Sequence, residues 1–339
     1  MGPSMSDSLE PAEERAPSDA DLSPSSSRVS AVLKGVLPWL ATVGIGAYLA
    51  WAHDLDAVKD ALSSAPIGIL LPFWCCAVGV VFLVDVACLH SLFRRTGQRA
   101  SFSELRVIKG ASYLLNIINY NAAVGGIAVV LARRQGRPIL EFISTILMLA
   151  AIDMVGLSLY ALLGIALLDS WPTEVDVSVI ATIAGTLLVG YLGALFYWRA
   201  GWDFWILGRL RSWSVFHAFR VTRLRDHGVL VAQRAGFMGL YFVIHFISLD
   251  LFGIPIPWTE LLVYNAVITI VGTLPISVAG LGTTQVVTIA LYAAHGSPEA
   301  ILAYSTLITF LFVLMRAVVG YASLPGLSRL TAEPVSSSS

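Results

Sequence analysis

Apolar runs long enough to cross a bilayer recur along the chain, near residues 33–52, 67–92, 139–168, 177–198, 235–253 and 298–324. A helix of about 20 residues spans the roughly 30 Å hydrocarbon layer, so these runs predict six full crossings. Two further apolar stretches are interrupted. Residues 105–132 carry Asn116, Asn119, Asn121, Gly125 and Gly126, and residues 259–296 carry Pro275, Gly280 and Gly282. Neither has the pattern of one clean helix. Residues 1–31 hold Glu10, Glu13, Glu14, Asp19, Asp21, Pro11, Pro17, Pro24 and the Ser25–Ser27 run, too polar to bury a core, and are expected to form a disordered tail. An integral membrane domain is expected over 32–325, followed by a second disordered tail over 326–339.

Lysine and arginine accumulate in short loops on the cytoplasmic side of a membrane, which orients the spans. Arg94, Arg95, Arg99, Arg106 and Lys109 precede the first interrupted stretch, and Arg133, Arg134 and Arg137 follow it. Both its ends therefore belong on one side, and it should dip in and double back, turning near Asn121–Gly126. The loop with Asp169, Glu174 and Asp176 suits the outside, while Arg199 to Arg234 return the chain to the cytoplasm. No Lys or Arg lies between 235 and 315, but parity requires 259–296 to begin and end outside. The expected fold is thus an all-α polytopic membrane protein of about six full transmembrane helices plus two re-entrant helical hairpins in an inverted repeat, with both termini cytoplasmic. Gly136-Arg137-Pro138 and Gly296-Ser297-Pro298 mark matching helix starts after each hairpin. Inverted repeats that meet at broken helices are a transporter signature, with the site near the midplane.

Composition sharpens this reading. Of 339 residues, 57% are hydrophobic and 13% charged, which excludes a water-soluble globule. A net charge of -1 lacks the basic footprint that nucleic acid needs. The three cysteines, Cys75, Cys76 and Cys88, share one apolar run without metal-ligand spacing, and no metal or cofactor is expected. No His-Glu-x-x-His, Cys-x-x-Cys or Walker motif is present, which argues against an enzyme or an ATPase.

Candidate chemistry concentrates in Thr273–Gln285. Proline ends a helix there, Gly280 and Gly282 permit a tight turn, and a new helix begins with Thr283, Thr284 and Gln285. A helix start offers free N–H groups and roughly half a positive charge, so a lipid phosphate is a natural guest. The alternative is that the threonines merely cap their own helix. Arg316 lies inside the last apolar run, where a lone guanidinium costs several kcal/mol, at about +2.5 to +3.5 on insertion scales. Asp153 is its expected counter-charge, with Asp85 and Glu260 as rivals. Asn121 at the first turn completes the candidate substrate-binding set. Asn265, Thr269 and Thr273 form a polar stripe leading into the second turn. The aromatic and arginine-rich stretch 199–228 suits a helix anchored at an anionic leaflet.

The segment PISVAGLGTTQVVTIALYAAHGSPEAILAYSTLITFLFVLMRAVVGY resembles the C-terminal signature of the lysylphosphatidylglycerol synthase transmembrane-region family, flippase-like membrane proteins. The matching positions are Pro275, Gly280, Gly282, Gly296, Ala300 or Ala303, Arg316 and Gly320. The first half departs from the family pattern: Asn121–Gly126 replaces a Pro-Gly-rich turn with a Gly-Glu pair, and Leu149-Ala150 stands where Glu-Arg usually precedes the aspartate, here Asp153. No soluble aminoacyl-transferase domain is expected after Tyr321. The resemblance therefore implies a lipid-moving portion without the enzyme. It makes the expected function translocation of an anionic or polyprenyl-linked membrane lipid in the plasma (inner) membrane, through a polar cavity between the hairpins. A non-transporting partner of an envelope lipid- or glycan-modifying enzyme is the alternative.

Overall fold

The computed structural model describes residues 39–40, 42–118, 120–168, 170–172, 175–201, 213–274 and 281–332. The chain is an all-α polytopic membrane protein. Its helices are α1 (Thr42–Ala52), α2 (Leu55–Ser64), α3 (Ile67–Arg95), α4 (Phe102–Ile118), α5 (Tyr120–Gln135), α6 (Ile139–Leu167), α7 (Val177–Ala200), α8 (His217–Val221), α9 (Leu224–Leu251), α10 (Trp258–Thr273), α11 (Thr283–Tyr292) and α12 (Pro298–Ala332). Among the described residues five helices, α3, α6, α7, α9 and α12, are long and apolar enough to cross a bilayer. Of the first expected crossing, 33–52, only its later part, including α1, is described.

Polar contacts sort the helix ends into two sets. At the arginine-rich end, Arg134 of α5 donates to Glu104 of α4 at 2.9 Å and also to the Leu330 carbonyl of α12. Arg95 of α3 pairs with Asp226 of α9 there, and Gln98 donates to Thr145 of α6 at 2.9 Å. At the opposite end, His295, just past α11, lies 2.6 Å from Glu260 of α10, and His53 lies 3.6 Å from Glu299 of α12. Each interrupted stretch is therefore a hairpin whose two ends share one end of the bundle, and the two hairpins enter from opposite ends.

Packing repeats between the halves. The first arm of each hairpin lies along the last span of the other half: α4 along α12, and α10 along α6. Small residues permit the close approach. A Cβ on Gly164 would sit 2.6 Å from Val263 Cγ2, and one on Gly326 would sit 3.0 Å from Val107 Cγ1. Val107 and Val263 occupy matching places in an internal repeat, Phe102-Ser103-Glu104-Leu105-Arg106-Val107 against Trp258-Thr259-Glu260-Leu261-Leu262-Val263. The same repeat supplies Glu104 and Glu260, the acidic halves of the two hairpin clasps.

Three boundaries differ from expectation. Of the first hairpin, α4 runs to Ile118 and α5 from Tyr120, with residue 119 outside the described residues, so the backbone of Asn121–Gly126 is helical rather than a turn. Gly126 serves arm packing instead, since a Cβ there would lie 3.1 Å from Leu115 Cδ1. The basic segment assigned to a loop up to Arg234 is already helical from Leu224. Residues 326–332, expected as tail, continue α12 because Gly326 packs on Val107, and Leu327 and Leu330 pack against the core beside α4 and α5. Ser297 does cap α12, its Oγ accepting from the Ala300 N–H at 3.2 Å.

Candidate functional site

The deepest concentration of charge joins four helices. Arg234 enters from α9, on the face that also buries His227, Leu230, Phe237 and Ile244. Its Nη1 donates to Asp85 of α3 at 2.7 Å, while Nε and Nη2 donate to the two oxygens of Asp153 of α6 at 2.5 and 2.9 Å. Lys109 of α4 closes the cluster, its Nζ 2.9 Å from the other oxygen of Asp85. The Arg234 guanidinium also stacks 4.1 Å above the Phe237 ring. Two cations thus balance two carboxylates, as burial in a low dielectric demands. The side chains of Arg234 and Asp85 are 7% and 9% exposed; Asp153 and Lys109, at 16% and 17%, are the accessible members.

Arg316 of α12 lies beside this cluster and outside its ion pairs. Its guanidinium is 4.1 Å from the Phe312 ring and 5.8 Å from the Tyr113 ring of α4. Lys109 Nζ stands 5.9 Å from the same Tyr113 ring. Tyr113 and Tyr241 of α9 are within electrostatic reach of both Arg316 and the Asp85 and Arg234 pair. Among the described residues no carboxylate pairs with Arg316. The five side chains Asp85, Lys109, Asp153, Arg234 and Arg316 together carry one surplus positive charge, cushioned by aromatic faces that attract cations.

The expected Arg316 and Asp153 pair is therefore not formed. Asp153 serves Arg234, Asp85 serves Arg234 and Lys109, and Glu260 serves His295 and the Tyr264 hydroxyl, which donates to it at 2.9 Å. Sequence reasoning missed Arg234 and Lys109 by counting both as loop charges. A signal was available: Leu230, Arg234, Phe237 and Tyr241 recur at helical spacing, which places Arg234 on an otherwise apolar stripe.

At the second hairpin, Gly280 lies outside the described residues. Gly282 adopts φ +90°, and a Cβ there would sit 2.7 Å from Ile45 Cγ2, so this turn needs glycine on both counts. Gln285 is 3% exposed and turned inward: its Oε1 accepts from the Gly282 N–H at 2.6 Å and from Thr284 Oγ1 at 3.2 Å, and its Nε2 donates to Thr309 of α12 at 3.2 Å. It caps its own helix and ties it to α12, which takes one of the N–H groups expected for phosphate. A cavity of about 440 Å³ does open here, bounded by Gly44, Ile45, Tyr48, Val271, Thr283, Val286 and Val287, but its walls are apolar. It is not the polar hollow expected between the hairpins. In the preceding stripe Asn265 has a buried amide nitrogen without a hydrogen-bond partner among the described residues, whereas Thr269 and Thr273 are exposed. The Asn121 side chain lies outside the described residues, as do Trp202, Phe204 and Trp205 of the aromatic stretch.

Comparison with curated proteins returns no match. Residues 38–320, most of the chain, match the family described as the lysylphosphatidylglycerol synthase TM region. With this match over most of its length, the chain belongs to the lysylphosphatidylglycerol synthase transmembrane-region family.

Proposed function

We propose that this protein is a lipid translocator that carries an anionic headgroup across the hydrocarbon layer past Arg316, with the acyl chains left in the surrounding lipid. The observation that carries this reading is a surplus positive charge inside the membrane domain: Arg316 stands without a carboxylate partner among the described residues, beside the Tyr113 and Tyr241 side chains, and shares the Tyr113 ring with Lys109. An isolated intramembrane arginine is costly, and a phosphate monoanion is the guest that neutralises it. Arginine and tyrosine supply the donors that phosphate oxygens accept. The apolar cavity beside α1 and α11 offers space for a hydrocarbon chain next to the path. On this reading the chain makes and breaks no covalent bond, lies in the plasma membrane, and keeps its arginine-rich end in the cytoplasm.

The test is reconstitution of the purified chain into vesicles containing an acyl-labelled anionic phospholipid, with leaflet exchange followed by quenching of the exposed label. Wild type is expected to exchange the label well above protein-free vesicles. Arg316→Gln should lower the rate at least tenfold, and Arg316→Lys should retain part of it. Wild-type exchange no faster than protein-free vesicles, across several headgroups, refutes the reading.

A further inference from the structure

We propose that the Asp85 and Asp153 pair binds a proton when an anionic headgroup enters beside it, so that the protein moves lipid anion and proton together. This rests on the translocator reading above and adds the ion that accompanies the lipid. In the resting cluster each carboxylate has a cation: Arg234 bridges both, and Lys109 completes Asp85. Lys109 is the cluster cation an incoming anion meets first. Its side chain is 17% exposed against 7% for Arg234, and it shares the Tyr113 ring with Arg316. A phosphate oxygen held by Arg316 and accepting from the Lys109 ammonium draws that ammonium off Asp85. Arg234 is then left alone between the two carboxylates.

Two carboxylates sharing one site in a low dielectric do not both stay ionised, and one of them takes a proton. The proton belongs to the pair rather than to either residue. Asp153, 16% exposed at its side chain and held by Arg234 alone, is the member open to water. The charges acting on Asp153 come from Arg234 of α9, Asp85 of α3 and Lys109 of α4, and Cys88 of α3 is a further titratable neighbour. Asp85 also faces Tyr113 and Tyr241, which extend to Arg316. The other helices packed on α6, namely α5, α7, α8 and α10, add no ion pair to the cluster among the described residues. The step balances: one hydronium gives up a proton, one carboxylate gains an O–H bond, and one phosphate monoanion arrives. The loaded site then bears the same net charge as the empty one, so its passage does no work against the membrane potential.

The experiment uses the full chain in phosphatidylcholine vesicles with a trace of acyl-labelled phosphatidylglycerol. A gradient of about one pH unit is set with the lumen alkaline, and the membrane potential is clamped at zero with valinomycin and potassium. For one proton per lipid, the label is expected to accumulate about tenfold in the inner leaflet, and nigericin should return it to an even split. Fast exchange with an even split under the gradient overturns the coupling while leaving translocation standing; no exchange at all overturns both. Asp153→Asn, checked for native unfolding behaviour, should lower the accumulation below about twofold, because Asp85 then keeps Arg234 to itself. Full tenfold accumulation in that variant places the proton elsewhere and overturns the assignment. Should the variant not fold, the wild-type gradient result alone decides.

Discussion

Removing the Arg234 side chain is the perturbation that best separates two accounts of the buried cluster. In Arg234→Leu, Asp153 loses its ion-pair partner and Asp85 keeps Lys109. If the cluster were only a set of membrane hydrogen bonds, three donor contacts at an average near 0.6 kcal/mol would cost about 2 kcal/mol. If the carboxylates are charged and buried, the loss is that of an uncompensated ion, about 3–5 kcal/mol. The geometry favours the larger figure, because Arg234 is almost fully enclosed and meets both Asp153 oxygens. The assay is reversible unfolding in mixed detergent micelles, read by helix content, for Arg234→Leu, Asp153→Leu and the double variant. The double variant leaves a balanced Asp85 and Lys109 pair, so it should be more stable than Arg234→Leu alone by about 2 kcal/mol, outside the usual range of additivity. A single-variant loss under about 1 kcal/mol, or strict additivity in the cycle, refutes the picture of a charge-balanced core.

Gly164→Ala should destabilise by about 1–3 kcal/mol, because the new methyl meets the Thr259 carbonyl oxygen at 2.9 Å; Gly185→Ala on α7, where nothing lies within 4 Å, is the matched control and should be neutral or stabilising. Single cysteines at Arg134 and His295, in a background with the native cysteines replaced, should react with a membrane-impermeant maleimide from opposite faces; labelling of both from one face would contradict the opposed hairpins. Asp176, outside the spans, accepts from the Ser178 side chain and backbone N–H, which holds its carboxyl below the ordinary aspartate value. The cap therefore stabilises the start of α7 above that value and is lost as pH falls through the lowered one, so amide exchange at Ser178 should rise only in acid, and Asp176→Asn should flatten that rise.

The spans and the doubling back of the interrupted stretches were legible because both depend on quantities local in sequence: run length, Gly and Pro breaks, and the placement of Arg and Lys. Parity alone placed the second hairpin, and the Glu260 and His295 clasp agrees with it. Pairing of buried charges was not legible. Asp153 sees Arg234 across 81 positions and Asp85 sees it across 149, and nothing in the local pattern of Arg316 excludes it as their partner. Arg234 was hidden by its neighbours, since a helix that begins at Leu224 carries basic residues at its mouth and one more on its buried stripe. The Gln285 cap illustrates the same limit on a smaller scale: a helix start with three polar residues reads as an anion cradle until one of those side chains is seen folding back onto the backbone.

The repeated hexapeptide has a consequence for how the protein enters its membrane. Where the first copy carries Arg106 and, further on, Lys109, the second has Leu262 and Asn265 at the corresponding places. One blueprint has thus been written once with cations and once without them, and the copy without cations inserts upside down relative to its twin. Insertion machinery that retains positive charge on its own side needs no other instruction to sort the two. Grafting an arginine and a lysine onto the second copy would set the halves in competition for the same face during biogenesis.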